Sequence, residues 1–245
     1  MRRAAVVCMA IATTAAPSYA LDLDTLLPPG DPTASGRIIQ YVLVLTLLSV
    51  APGILIMVTS FTRFVIALSF LRSGLGLQST PANLVLVSLS LFLTFFVMAP
   101  VFDKAWQNGL NPLIENKITE KEAFERMSAP FRDFMLANVR QKDLLLFEDM
   151  AAGQGIKLPA DGSADLRIVV PAFMISELRR GFEIGFLIAL PFLIIDLIVA
   201  TLTMSMGMMM LPPTVISLPF KILFFVLIDG WHLLVGSLVK SFTSG

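Results

Sequence analysis

The chain has 245 residues, 56% of them hydrophobic and 15% charged, with a mean hydropathy of +0.81. That balance lies far from a soluble domain and places the protein in the membrane class. Basic and acidic residues number 18 each, so no net charge points to a nucleic-acid partner, and a single cysteine excludes a disulfide framework.

Residues 1–20 read as a cleaved secretory signal. Arg2 and Arg3 give the positive start, Ala4 to Ala12 a short apolar stretch, and Ser18-Tyr19-Ala20 a small-x-small cleavage site. Cys8 falls inside this segment, and cleavage would make Leu21 the first mature residue on the outer side of a bacterial inner membrane. Residues 21–36, rich in Pro, Gly and Asp, suit a flexible leader.

Two apolar blocks follow, split by a polar insert. In residues 37–102, a stretch from Ile38 to about Arg72 is expected to kink or break at Pro52-Gly53, and Leu84 to Phe102 is long enough to cross a bilayer. Residues 103–168 carry 20 charged positions and are expected outside the membrane as a small helical periplasmic insert. Within it, Thr119 and Glu122 have capping-box spacing. Pro130 suits the first turn of a second helix, and Gln141 to Ala152 reads as a third, ended by Gly153. The second apolar block, residues 169–245, holds Phe182 to Met210 and Thr214 to Val239. The expected fold is therefore all-α: two membrane-like helical hairpins, about four long apolar segments, and the insert. With a cleaved signal, Arg72 falls inside, in keeping with the positive-inside tendency, but Arg179-Arg180 falls outside against it. That conflict suggests that the segments do not cross the bilayer in the ordinary way.

Five charges interrupt the apolar blocks: Arg63, Glu183, Asp196, Lys221 and Asp229. Each would cost about 3 kcal/mol at the centre of a membrane helix, so each must pair, lie near an end, or face water or protein. Asp196 and Lys221 flank the methionine-rich turn from opposite arms, about 21 and 17 Å from it at 1.5 Å per residue, so a pair across the hairpin is open to them. Such a pair is either a structural ion pair or part of an ion relay. Asp229 and His232 share a helical face, as a hydrogen-bonded pair or, less simply, a metal or proton site. Gly181 and Gly185 form a GxxxG spacing that permits close helix approach.

The turn itself is Met204-Ser-Met-Gly-Met-Met-Met-Leu-Pro-Pro213. Flexible thioether side chains fill irregular gaps and yield to variable surfaces, so the cluster reads as ordinary packing or as a deformable seal. No phosphate-binding glycine loop, nucleophile elbow or His/Cys/carboxylate cluster is present in the sequence. No cofactor, no metal and no enzyme activity are expected.

Several stretches together resemble the FliP family, the export-gate P proteins of flagellar type III secretion and their injectisome relatives. They are PFLIIDLIVA (191–200), MSMGMMMLPP (204–213), ISLPFK (216–221) and DGW (229–231). TSFTR (59–63), LSFLR (68–72), LFLTFFVMAP (91–100) and PAFMISEL (171–178) agree. The resemblance runs from about residue 37 onward; Ala82 after Pro81 and SGLGL (73–77) depart from the pattern locally. It implies a pore-forming export-gate subunit in five copies, bound to the export-gate Q and R proteins and to other export-apparatus membrane proteins. Unfolded flagellar substrates would pass through it at the inner membrane, in the basal body, with lipid around it. It also implies tilted hairpins set largely above the bilayer plane, and a pore seal formed by Met206, Met208, Met209 and Met210. A small proton or ion transporter and a purely structural nucleator of the basal body are the alternatives.

Overall fold

A computed structural model describes residues 34–77, 79–154, 165–207 and 212–243. The expected signal 1–20, most of the leader, and Met208, Met209 and Met210 lie outside the described residues. Those described are helical or in short turns, with no strand among them. Residues 34–51 belong to one compact unit and the remainder, from Pro52, to a second.

Helix α1 spans Ala34–Val58 and α2 spans Phe61–Gly74. The chain does not break at Pro52-Gly53, since α1 runs through both residues. The break falls at Thr59-Ser60, where the Thr62 hydroxyl donates to the Ile56 carbonyl at 3.4 Å and satisfies one orphan acceptor of the helix end. Helix α3, Asn83–Ala105, continues through a π-helical turn, Trp106–Leu110, into the short α4, Asn111–Ile114.

The insert packs on the helices around it. Helix α5, Glu120–Asn138, opens with the expected capping box: Glu122 N–H donates to Thr119 Oγ1 at 3.3 Å and Thr119 N–H to Glu122 Oε2 at 3.2 Å. Pro130 does not start a helix. It is buried in the middle of α5, where its ring leaves the Arg126 carbonyl without its usual donor. Helix α6, Gln141–Gly153, is moored by its first turn. The buried Ser176 hydroxyl accepts from Arg140 N–H at 3.0 Å and donates to Asp143 Oδ2 at 2.7 Å.

Helix α7 is the axis of the second unit. It spans Leu166–Ser205, 40 residues, beginning well before the expected start at Phe182. Asp165 caps it by accepting from Arg167 N–H at 2.9 Å, and hydrogen bonds from Arg167 hold that carboxyl below its ordinary range. The charged stretch 177–183 does not end the helix: Glu177 pairs across to Arg63 of α2, and Glu183 pairs with Arg179 along α7. At 1.5 Å per residue α7 is about 60 Å long, twice the roughly 30 Å hydrocarbon core of a bilayer. Helices α8, Pro213–Leu227, and α9, Gly230–Thr243, replace the expected single last segment and meet at a bend of 64°. Three helical runs are long and apolar enough to cross a membrane, or four if the bent pair counts as one span.

Two stripes bring α2 and α7 together. Glu177, Gly181, Gly185 and Ala189 recur every four residues on α7 and meet Arg63, Ile66, Phe70 and Gly74 in the same order on α2, so the helices run parallel. A Cβ on Gly185 would stand 2.7 Å from Phe70 Cβ, and one on Gly181 would stand 3.1 Å from Ile66 Cβ. The main core continues from this seam through Phe64, Leu68, Leu71, Leu86, Phe192, Phe225, Leu234 and Leu238. A smaller one, Met135, Val169 and Phe173, seats the insert.

This packing sets an expected contrast in thermal unfolding of the purified protein. Gly185→Ala should lose about 1–3 kcal/mol through overpacking. Gly236→Ala, whose new methyl meets nothing within 4 Å, should be neutral or gain up to about 1 kcal/mol.

Candidate functional site

Among the described residues, buried charge gathers at two centres on α7, at Glu177 and Asp196. At the first, Arg63 and Glu177 are both fully buried and form a forked ion pair. Arg63 Nε donates to Glu177 Oε2 at 2.8 Å and Nη2 to Oε1. The remaining nitrogen, Nη1, donates to the Ser241 hydroxyl at 2.8 Å and the Ser241 carbonyl at 3.1 Å, while the Phe242 ring lies 3.5 Å from Cζ. A guanidinium is the group for this place, because its flat fork serves a carboxylate, a carbonyl and an aromatic face at once.

At the second centre, Lys221 of α8 donates to Asp196 Oδ2 at 2.5 Å and to the Gly74 carbonyl at 3.0 Å. Ser217, one turn before Lys221, donates to Asp196 Oδ1 at 2.5 Å. Lys221 is buried and Asp196 partly so. The Gly74 carbonyl is available because α2 ends there, and Gly74 lets Ala189 and Phe192 come within 3.3 Å of where a Cβ would stand. The pair therefore closes the hairpin of α7 and α8 and ties it to the end of α2.

The other expected positions are placed differently. Glu183 is exposed and pairs with Arg179 one turn away at 2.7 Å. Asp229 is exposed in the bend before α9 with a φ of 51°, and no hydrogen bond or ion pair joins it to His232. Met206 is exposed at the C-cap of α7, followed by Gly207 with a φ of 73°, the left-handed closure that glycine favours. Met204 is exposed beside it. Among the described residues no group of three or more His, Cys, Asp or Glu could hold a metal ion.

Glu177 and Ser217 belong to the site although nothing in the sequence pattern singles them out. Glu177 precedes the apolar stretch that begins at Phe182, so it reads as part of a leading segment. The usable signal is charge parity: Arg63 needs an acid, and among the candidates Glu183 lies off the α2-facing stripe on which Glu177 stands. Glu177 and Asp196 lie 19 residues apart, about 28 Å along α7, and the last 12 intervening residues carry no charge. Such a gap gives a proton no chain of side chains to follow.

Removing one partner strands a charge that its neighbours cannot solvate. Arg63→Ala or Glu177→Ala should each cost about 3–5 kcal/mol, while Arg63→Met with Glu177→Met should recover most of the loss. Thermal midpoints of the purified single and double variants check this.

The charge centres and the methionine turn lie within the region shared with known proteins. The FliP family model matches residues 44–238. The chain is 67% identical over 219 residues to the flagellar biosynthetic protein FliP of Rhizobium meliloti (strain 1021), covering 89% of each chain. It is 53% identical over 212 residues to the flagellar biosynthetic protein FliP of Bacillus subtilis (strain 168), covering 86% of this chain and 95% of that one. Against the protein of the same name from Agrobacterium fabrum the identity is 66% over 212 residues, 86% of each chain. With both buried ion pairs and the methionine turn inside that match, the chain belongs to the FliP family.

Proposed function

We propose that this flagellar biosynthesis protein is a core, pore-forming subunit of the flagellar type III export gate. It assembles in five copies with the export-gate Q and R proteins at the periplasmic side of the bacterial inner membrane. It passes unfolded flagellar substrates, and its methionine-rich turn, Met206 to Met210, seals the pore between them. It acts without catalysis, cofactor or metal, and a separate ATPase and the proton-motive force supply the drive.

The observation that carries the reading is the pairing of two features on one helix. The C-terminal end of α7 exposes Met204 and Met206, and the Asp196–Lys221 ion pair joins the two arms that lead to the methionine-rich segment. Unbranched apolar side chains on a firm mount can exclude water and ions, yet give way to a polypeptide of any sequence. The length of α7 supports an assembly in which much of the helix stands outside the hydrocarbon, which accommodates Arg179 and Arg180.

Two experiments test this. Replacing Met208, Met209 and Met210 with Ala should leave assembly intact, raise ion leakage through the inner membrane and alter export of flagellar substrates. Unchanged leakage with unchanged export would favour a structural nucleator. Native mass measurement of the gently solubilised complex should give five copies with the Q and R proteins. A monomer or dimer free of them, yet conducting protons in liposomes, would favour a transporter.

A further inference from the structure

We propose that α9 is a hinged strap, pivoting at Ile228-Asp229 and latched at its far end onto the Arg63 guanidinium. The hinge is a true break. Helix α8 closes with Ile228 N–H and Asp229 N–H each donating to carbonyls one turn back, at 3.1 Å, and the chain resumes at Gly230 with the axis turned by 64°. Asp229 occupies the left-handed region, which aspartate tolerates better than most side chains and which gives the corner its sharp turn.

The elbow is packed on one side, where Gly230 meets the Phe225 ring, and open on the other. A cleft of about 320 Å³ opens there among Ile188, Pro191, Phe225, Ile228, Leu233 and Ser237. Close packing would immobilise the strap at its root, whereas a cleft of this size leaves room for rotation about the hinge. Gly230 sits against the Phe225 ring, so the pivot lies next to that gap.

The latch is separable from the ion pair. Glu177 takes Nε and Nη2 of Arg63, and the strap takes only Nη1 and the guanidinium face, through Ser241 and Phe242. Releasing the strap leaves the Arg63 charge neutralised. Between hinge and latch, Leu234, Leu238 and Phe242 fall on one stripe at four-residue spacing, with Phe242 against Phe64 and Phe134. The strap thus opens as a unit over a single apolar seam, ending at the Ser241 hydrogen bonds and at the Phe242 ring, which meets Arg63, Phe64 and Phe134. This inference rests on side-chain geometry and is independent of the pore reading.

Hydrogen exchange of the full-length purified protein in nanodiscs tests it. In the unaltered chain, amides of α9 should exchange together and faster than those of α7 around Glu177. Phe242→Leu keeps apolar bulk but removes the ring over the guanidinium. It should speed α9 exchange about tenfold or more, through loss of the cation–π contact together with the ring contacts to Phe64 and Phe134, without changing α2 or α7. Indistinguishable exchange of α9 and α7 in the unaltered protein would overturn the proposal. So would a Phe242→Leu change that is absent, or equal in α2, α7 and α9.

Discussion

A charge cannot be left alone among apolar helices, and this constraint organises the second unit. Arg63 and Glu177 are fully buried, so α2 and α7 must meet at one height and in one orientation. From that contact the two stripes run on in register, with glycines on α7 opposite Ile66 and Phe70, until α2 ends and its last carbonyl receives Lys221. Helix α2 is therefore a strut between two ion pairs. Apolar packing alone would tolerate a slip of one turn along such smooth surfaces; a forked ion pair at one end and a lysine at the other do not.

The same arrangement reconciles the high hydropathy with the charge content. Buried acids and bases are matched on α2, α7 and α8, while Arg179 and Glu183 match each other on the open face of α7. Helix α7 can then run unbroken for about 60 Å through regions that a hydropathy pattern separates. Many large apolar side chains remain exposed, among them Phe92, Phe96, Leu187, Leu197 and Leu227. A membrane protein presents such surface to lipid or to neighbouring subunits, where soluble domains bury it.

Much of this was legible in the residues. The all-α class, the capping box at Thr119 and the end of α6 at Gly153 follow from composition and local chemistry, and the Asp196–Lys221 pair from its symmetric place about a turn. Other features were not legible because they depend on three-dimensional partners. Pro52, Pro130 and Pro191 all sit inside continuous helices; at the buried Pro130 tertiary packing outweighs the lost hydrogen bond, whereas Pro52 is exposed and has no such packing. The break at Thr59-Ser60 lacks any proline or glycine to announce it. The beginning of α7 was obscured because a stretch with four charges resembles a loop until Arg63 and Arg179 are placed beside their partners. For the same reason Glu177, fully buried, was marked in the sequence only indirectly, by the need of Arg63 for an acid.

The π turn at Trp106–Leu110 has a consequence for how this chain can be compared with others. A π turn holds an extra residue without leaving the helix, so the faces before and after it are out of phase with a plain α-helical count. The surplus is kept where it stands because the Gly109 backbone presses on Met127 and Ala123 of α5, leaving no room for a side chain or a looser loop. An added residue is usually sought in a loop; here it is stored inside a rod. A helical wheel drawn through residues 83–114 as one element would misplace the positions from the π turn onward.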